Sequence, residues 1–427
     1  MKKGNSIRNS AVAAVVSILL CGFGCTKSDE KEGQVAQKEK TTTREMAFLD
    51  GSNGLPSSGL WRQGMAFHDI NRDGNIDILA PPPRKASAED RVPFVWYGDG
   101  KGNWSKAKLA VPSDLAYDYG SIAVSDFNGD GLADIALAMH GLGVKVLAGT
   151  GGGNFVSLCE GMPSVEDFMS RALIADDFDN DGVPDIAAVS EARFEVKLAS
   201  PTGPWAFSIS DNTWKGGAVG GDAARGLYAD QLVSGDVNGD GNRDIALASL
   251  LTYNHNVIWI GDGKGGFAPS NNGLPTGVVY YPSVGLGDID GDGRDDLVAF
   301  VSGIGKDADF GLRAFLSGPD GFKEVSEGLP QKQGIYTAIS VSDLDGDGRP
   351  EIVGGTMDGV IKIFSMKGER WEKIQTSGLP EKELAKIYNI YCVDLNGDGH
   401  KDIAFCYSSG KLQIGGIRVF LNVSKKI

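Results

Sequence analysis

Apolar and polar positions along this chain fall into short stretches that recur in one order. "SIAVSD" (121–126) alternates with the period of two of a half-buried strand, and "DIALAM" (134–139) is an unbroken apolar run of strand length. Segments such as "FVWYGDGKGNW" (94–104) and "VIWIGDGKGGF" (257–267) follow these runs. In each, a glycine-rich turn separates two further strand-like pieces, and a "GLP"-type turn usually comes next. The pattern predicts four strands per unit.

Between the first two strands of every unit lies a nine-residue acidic loop. The loops are "DINRDGNID" (69–77), "DFNGDGLAD" (126–134), "DFDNDGVPD" (177–185), "DVNGDGNRD" (236–244), "DIDGDGRDD" (288–296), "DLDGDGRPE" (343–351) and "DLNGDGHKD" (394–402). They start 51 to 59 residues apart. Four-stranded units of this length cannot bury both faces alone, and a radial arrangement removes the open sheet edges. The expected fold is all-β: a seven-bladed β-propeller of four-stranded blades. The last unit stops short of a fourth strand, while "MAFLDGSNGLP" precedes the first, so residues 46–50 are expected to supply the outermost strand of the last blade and close the ring.

Carboxylates at every second position of a loop repel one another unless a cation sits between them. A hard, oxygen-ligated ion fits, and the glycine at position six allows the sharp turn. The candidate ligands occupy positions one, three, five and nine. They are Asp69, Asn71, Asp73 and Asp77; Asp126, Asn128, Asp130 and Asp134; Asp177, Asp179, Asp181 and Asp185; Asp236, Asn238, Asp240 and Asp244; Asp288, Asp290, Asp292 and Asp296; Asp343, Asp345, Asp347 and Glu351; and Asp394, Asn396, Asp398 and Asp402. Up to seven Ca²⁺ ions are expected, with loop 343–351 the weakest because Pro350 and Glu351 alter its end. The helix–loop–helix calcium motif needs a glutamate at position twelve, whereas here an apolar strand follows position nine. The competing reading is that Asp and Asn merely cap tight turns. The 24 carboxylates at these positions weigh against it.

The sequence resembles the FG-GAP/VCBS repeat family, the propeller type of integrin α-subunit heads and many bacterial surface proteins, over residues 46–427. The resemblance implies calcium loops on the lower face and ligand contact on the upper one.

Charge and targeting narrow the partners. A net charge of −15 argues against nucleic acid and against an anionic membrane surface. Lys2, Lys3 and Arg8 precede the apolar stretch "AVAAVVSILLCGFGC", too short for a confident membrane span, which reads as an export signal over 1–24. Gly24-Cys25 resembles a lipoprotein processing site, with Cys25 lipidated and 25–45 a polar tether. The chain is therefore placed in the bacterial cell envelope, held to the membrane only through its lipid, with plain secretion the alternative. Cys159, Cys392 and Cys406 make no disulfide framework. Cys392 and Cys406, flanking the last loop, are expected as buried thiols, with a bridge the alternative.

Catalytic motifs are scarce: four histidines lack zinc-like spacing, and no nucleophile elbow or phosphate loop is present. A monomeric binding module for a glycan or an extracellular or periplasmic protein is expected, with a propeller-based polysaccharide lyase as the alternative. Six to nine residues before every acidic loop stands an aromatic, including Trp61, Tyr117, Tyr119, Tyr228, Tyr280, Tyr281, Tyr336 and Tyr388. These rings either pack between blades or, with Arg62, Arg171 and Arg225, form a binding rosette at the upper mouth of the channel, overhung by Trp205 and Trp214.

Overall fold

Apolar runs that follow each acidic loop become the most buried strands of the molecule. Asp134–Met139 is buried at every residue, as are Asp244–Ala248 and Glu351–Thr356. A computed structural model describes residues 45–424 apart from short stretches, the longest being 163–169, 199–204, 210–216 and 219–228. The export signal, Cys25 and the tether lie outside the described residues, as do Tyr119, Tyr228, Arg225, Trp214 and the side chain of Arg171.

The protein is an all-β propeller with four-stranded blades, and its described residues include no α-helix. Each of the first six repeats folds into an antiparallel four-stranded sheet in chain order, as in Gly120–Ser125, Asp134–Met139, Gly143–Gly151 and Asn154–Ser157 of the second. The last repeat departs from the expected four strands. Lys386–Val393, Asp402–Ser409 and Ile414–Asn422 are joined by the N-terminal strand Glu45–Asp50, and that strand is not outermost. It runs antiparallel to Ile414–Asn422, pairing Leu49 with Leu421, and parallel to Gln375–Ser377, pairing Met46 with Thr376. The reason for the fifth strand is the exposed backbone edge the N-terminal strand would otherwise present.

Hydrophobic cores sit between sheets consecutive in the chain. Leu137 and Phe155 of the second sheet meet Leu79 and Val95 of the first, and Ile245 and Trp259 of the fourth meet Ala187 and Val189 of the third. Ala404, Cys406 and Val419 of the five-stranded sheet meet Trp61, Ile78 and Trp96 of the first repeat. There the Met65 N–H donates to Tyr391 Oη at 2.9 Å, and Phe67 meets Tyr391 edge-on. The N-terminal strand is pinned by Met46 and Phe48, both buried, by Arg418 Nη2 on Asp50 Oδ2 at 2.9 Å, and by the Val423 N–H on Ala47 O at 2.9 Å.

Candidate metal centre

Each acidic loop is a nest of side-chain acceptors turned onto its own backbone. The position-one carboxylate spans the turn: Asp69 accepts the N–H groups of Asp73 and Gly74 at 3.1 and 2.9 Å, and Asp126 those of Asp130 and Gly131. Position three accepts from position five, as Asn71 does from Asp73 at 3.0 Å, and position five accepts from position seven, as Asp398 does from His400 at 2.8 Å. Gly74, Gly182, Gly293 and Gly348 at position six have φ near +86°, the left-handed region that favours glycine. The turn-capping geometry is thus present in full. It is compatible with metal binding, because every loop retains carboxylate oxygens that accept a single N–H and so keep a second lone pair, such as Asp69 Oδ2 and Asp236 Oδ2.

The ninth-position acids have a second role that spacing alone does not reveal. All seven accept the position-two N–H at 2.8–2.9 Å, from Ile70 to Asp77 through Leu395 to Asp402. In five, the other oxygen accepts an N–H near the end of the third strand: Gly98 to Asp77, Gly149 to Asp134, Gly261 to Asp244, Ser317 to Asp296 and Asn422 to Asp402. These acids staple the loop to the sheet, and they are almost completely buried.

Burial without a countercharge shows in their titration. It pushes the carboxyls of Asp77, Asp134, Asp244 and Asp402 up to about 6 and that of Asp296 to about 7, against the lowering effect of the backbone N–H groups. No Lys or Arg pairs with any of these five among the described residues. A buried acid in this setting favours a cation nearby.

Three loops bring three carboxylates close enough for one ion, with oxygens within 4.8 Å of one another. They are Asp177, Asp179 and Asp185; Asp288, Asp290 and Asp296; and Asp343, Asp345 and Asp347. These are the loops with an acid rather than an amide at position three. In the last of them the buried Glu351 accepts the Leu344 N–H and stands outside the cluster. The residues present therefore fit a hard cation at three places. The other four loops supply three acids and an amide each.

The aromatic residues before the loops go elsewhere. Trp61, Tyr117, Tyr280, Tyr281 and Tyr336 are at most 6% exposed. Trp61 packs edge-on to Phe94 and Trp96 and donates its indole N–H to Ser58 O, while Tyr336 lies between Phe300 and Phe364. This burial leaves no open ring face for a rosette built on them. Trp205 is also core, edge-on to Phe127 at 5.8 Å, so it does not overhang the upper face. Tyr388 is half-buried beneath the Arg62 guanidinium at 5.2 Å, the one described pair of the expected set left at the surface. Cys392 and Cys406 are free thiols, both pushed up to about 12 by burial.

Comparison with known proteins agrees with this architecture. The FG-GAP-like repeat family matches residues 236–299 and 343–405, two segments that between them hold the last four acidic loops. The chain is a β-propeller carrying FG-GAP repeats. No curated protein matches it. Among solved structures, BBS1N in complex with ARL6DN is similar at a TM-score of 0.50 and 10% identity, covering 89% of this chain and 98% of that one. An Agrocybe aegerita lectin that recognises non-reducing terminal N-acetylglucosamine aligns at a TM-score of 0.47 and 18% identity, covering 84% and 94%. The first likeness supports the fold alone.

Proposed function

We propose that this protein is a calcium-stabilised, non-catalytic binding module whose ligand is a glycan, tethered to the bacterial cell envelope through a lipid on Cys25. The five-stranded sheet counts as the seventh blade, since its core faces both the sixth and the first repeats. The observation that carries the calcium reading is the burial of Asp77, Asp134, Asp244, Asp296 and Asp402 with no Lys or Arg paired to them among the described residues, three of the loops already clustering three acids. The ion would be held by positions one, three, five and nine, and would supply the positive charge those acids lack. Calcium, rather than a softer metal, follows from an all-oxygen donor set.

Metal that binds the native state alone stabilises it by mass action. Removing calcium with EDTA should lower the melting temperature by many degrees, with at least three ions per chain found by metal analysis of the loaded protein. An unchanged melt together with metal-free protein sinks the calcium reading. A glycan array probed with the calcium-loaded chain tests the ligand class, and fractionation of Cys25→Ala tests the anchor, with loss from the membrane pellet expected.

A further inference from the structure

In the first and fourth repeats the turn joining the third and fourth strands plugs the space between an acidic loop and the loop of the preceding repeat. In the first repeat a methyl group added at Gly100 would lie 2.7 Å from Asn75 Oδ1 and 3.9 Å from Asn396 O, so this hairpin tip fills the space between the last loop and the first. In the fourth, one added at Gly263 would lie 2.2 Å from Asn242 and 2.5 Å from Asn180, plugging the space between the third and fourth loops. Both turns read D-G-K-G. Their aspartates hold the turn through two backbone N–H groups each, Lys101 and Asn103 on Asp99, Lys264 and Gly266 on Asp262.

The second repeat lacks the plug. Thr150 stands in place of the aspartate, its hydroxyl donating to Asn154 O at 3.3 Å, and the chain turns back tightly through Gly152 and Gly153 at φ +61° and +76°. Gly151, the counterpart of Gly100 and Gly263, has open space out to 4 Å. What remains between the first and second acidic loops is a cavity of about 570 Å³, within the ~300–1,000 Å³ range of small-ligand clefts. Arg72 lines it. It is the only basic residue at position four of the seven loops. Its backbone is held at φ +62° and its guanidinium donates to Gly131 O, leaving its other N–H groups without an acceptor among the described residues. Asp69, Asp126 and Asn154 line the same cavity.

We propose that this cavity binds a uronic-acid residue of a glycan, its carboxylate on Arg72 and its hydroxyls on Asp69, Asp126 and Asn154. The carboxylate that the D-G-K-G turns carry at this place is absent here, while a guanidinium with spare donors faces the gap. The flanking acids select for hydroxyl donors, which a sugar has in vicinal pairs. An acidic peptide would bring its remaining carboxylates against those same acids. The proposal rests on the glycan reading above.

The test is calorimetric titration of the full, calcium-loaded chain with β-1,4-diglucuronate, its dimethyl ester and the peptide Gly-Asp-Gly-Asp. The diglucuronate should bind about tenfold or more tighter than the ester, and Arg72→Ala should erase that difference. The pair Thr150→Asp and Gly152→Lys recreates the D-G-K-G-N turn of the first repeat. It should abolish binding of both sugars, and Arg72→Ala alone decides the matter if Lys at the left-handed Gly152 position makes that variant unstable. Equal affinity for acid and ester, indifference to Arg72→Ala, or preference for the peptide overturns the uronate site. If the array shows other glycans bound, the module reading survives that result; if it shows none of any kind, the module reading falls with it.

Discussion

Phe48 and Leu49 are neighbours on one short strand, and the structure assigns them opposite energetic weights. Phe48 is 3% exposed and packs in the cluster that holds Ile374, Ile390, Phe405 and Phe420, whereas Leu49 is 59% exposed. Truncating a buried phenylalanine removes its transfer free energy and leaves a cavity that rigid neighbours fill only partly, a loss of about 3–5 kcal/mol. Here the neighbours are strand residues fixed by ladders on both sides, Ile414–Asn422 and Gln375–Ser377, so little collapse is available and the upper part of that range is expected. Leu49→Ala should cost within about 0.5 kcal/mol. Both variants would be followed by urea denaturation in millimolar calcium, monitored by tryptophan fluorescence and by elution volume. The reasoning requires a large midpoint shift for Phe48→Ala with an unchanged slope, and almost none for Leu49→Ala. Equal shifts, or a Phe48→Ala protein within about 1 kcal/mol of wild type, would mean that the N-terminal strand is not part of the folded core.

Three further outcomes follow. Trp61→Ala and Tyr336→Ala should each destabilise the protein by about 3 kcal/mol or more, as inter-sheet core residues do, and retention of full stability by either would return it to the surface. In EDTA the protein should melt higher at pH 5.5 than at pH 7.5, because ninth-position carboxyls raised to about 6 or 7 hold protons in the folded state that the unfolded chain releases near pH 4, so their contribution is lost as pH rises through 6–7. Calcium should shrink or reverse that difference by displacing those protons, and a calcium-free melt that rises with pH contradicts the burial argument. Cys392 and Cys406, with thiols pushed up to about 12, should resist an aromatic disulfide reagent at pH 8 in the folded protein and react only in denaturant; rapid native labelling of either would show that its strand is open.

Local chemistry in this chain announces itself, and long-range registry does not. The acidic loops and the strands beside them follow from residues within a few positions of each other, so period and spacing suffice. The missing fourth strand of the last repeat was visible as a matching surplus at Phe48 and its neighbours. The parallel pairing of Gln375–Ser377 outside that strand joins segments some 330 residues apart, and no pattern in either segment marks it. Trp61 and Tyr336 recur at the same phase in their repeats, yet recurrence is equally expected of a buried contact and of a surface ring. Only the packing of Phe94, Trp96, Phe300 and Phe364 against them decides. The staple role of Asp77 and its counterparts depends on N–H groups such as that of Gly98, 21 residues further on. Thr150 was legible in principle, since it stands where Asp99 and Asp262 stand, but its meaning depends on what those turns fill.

Because the Val423 N–H reaches Ala47 O, the two ends of the propeller's chain meet within one sheet. The order in which the repeats are strung is then a matter of where translation happens to begin. A short linker from Ser424 to Glu45, with new ends cut in any turn between neighbouring repeats, would describe the same ring. Such circular permutants would move the chain ends around the circumference while every acidic loop kept its neighbours, making the place at which anything fused to those ends leaves the ring an adjustable property of the molecule.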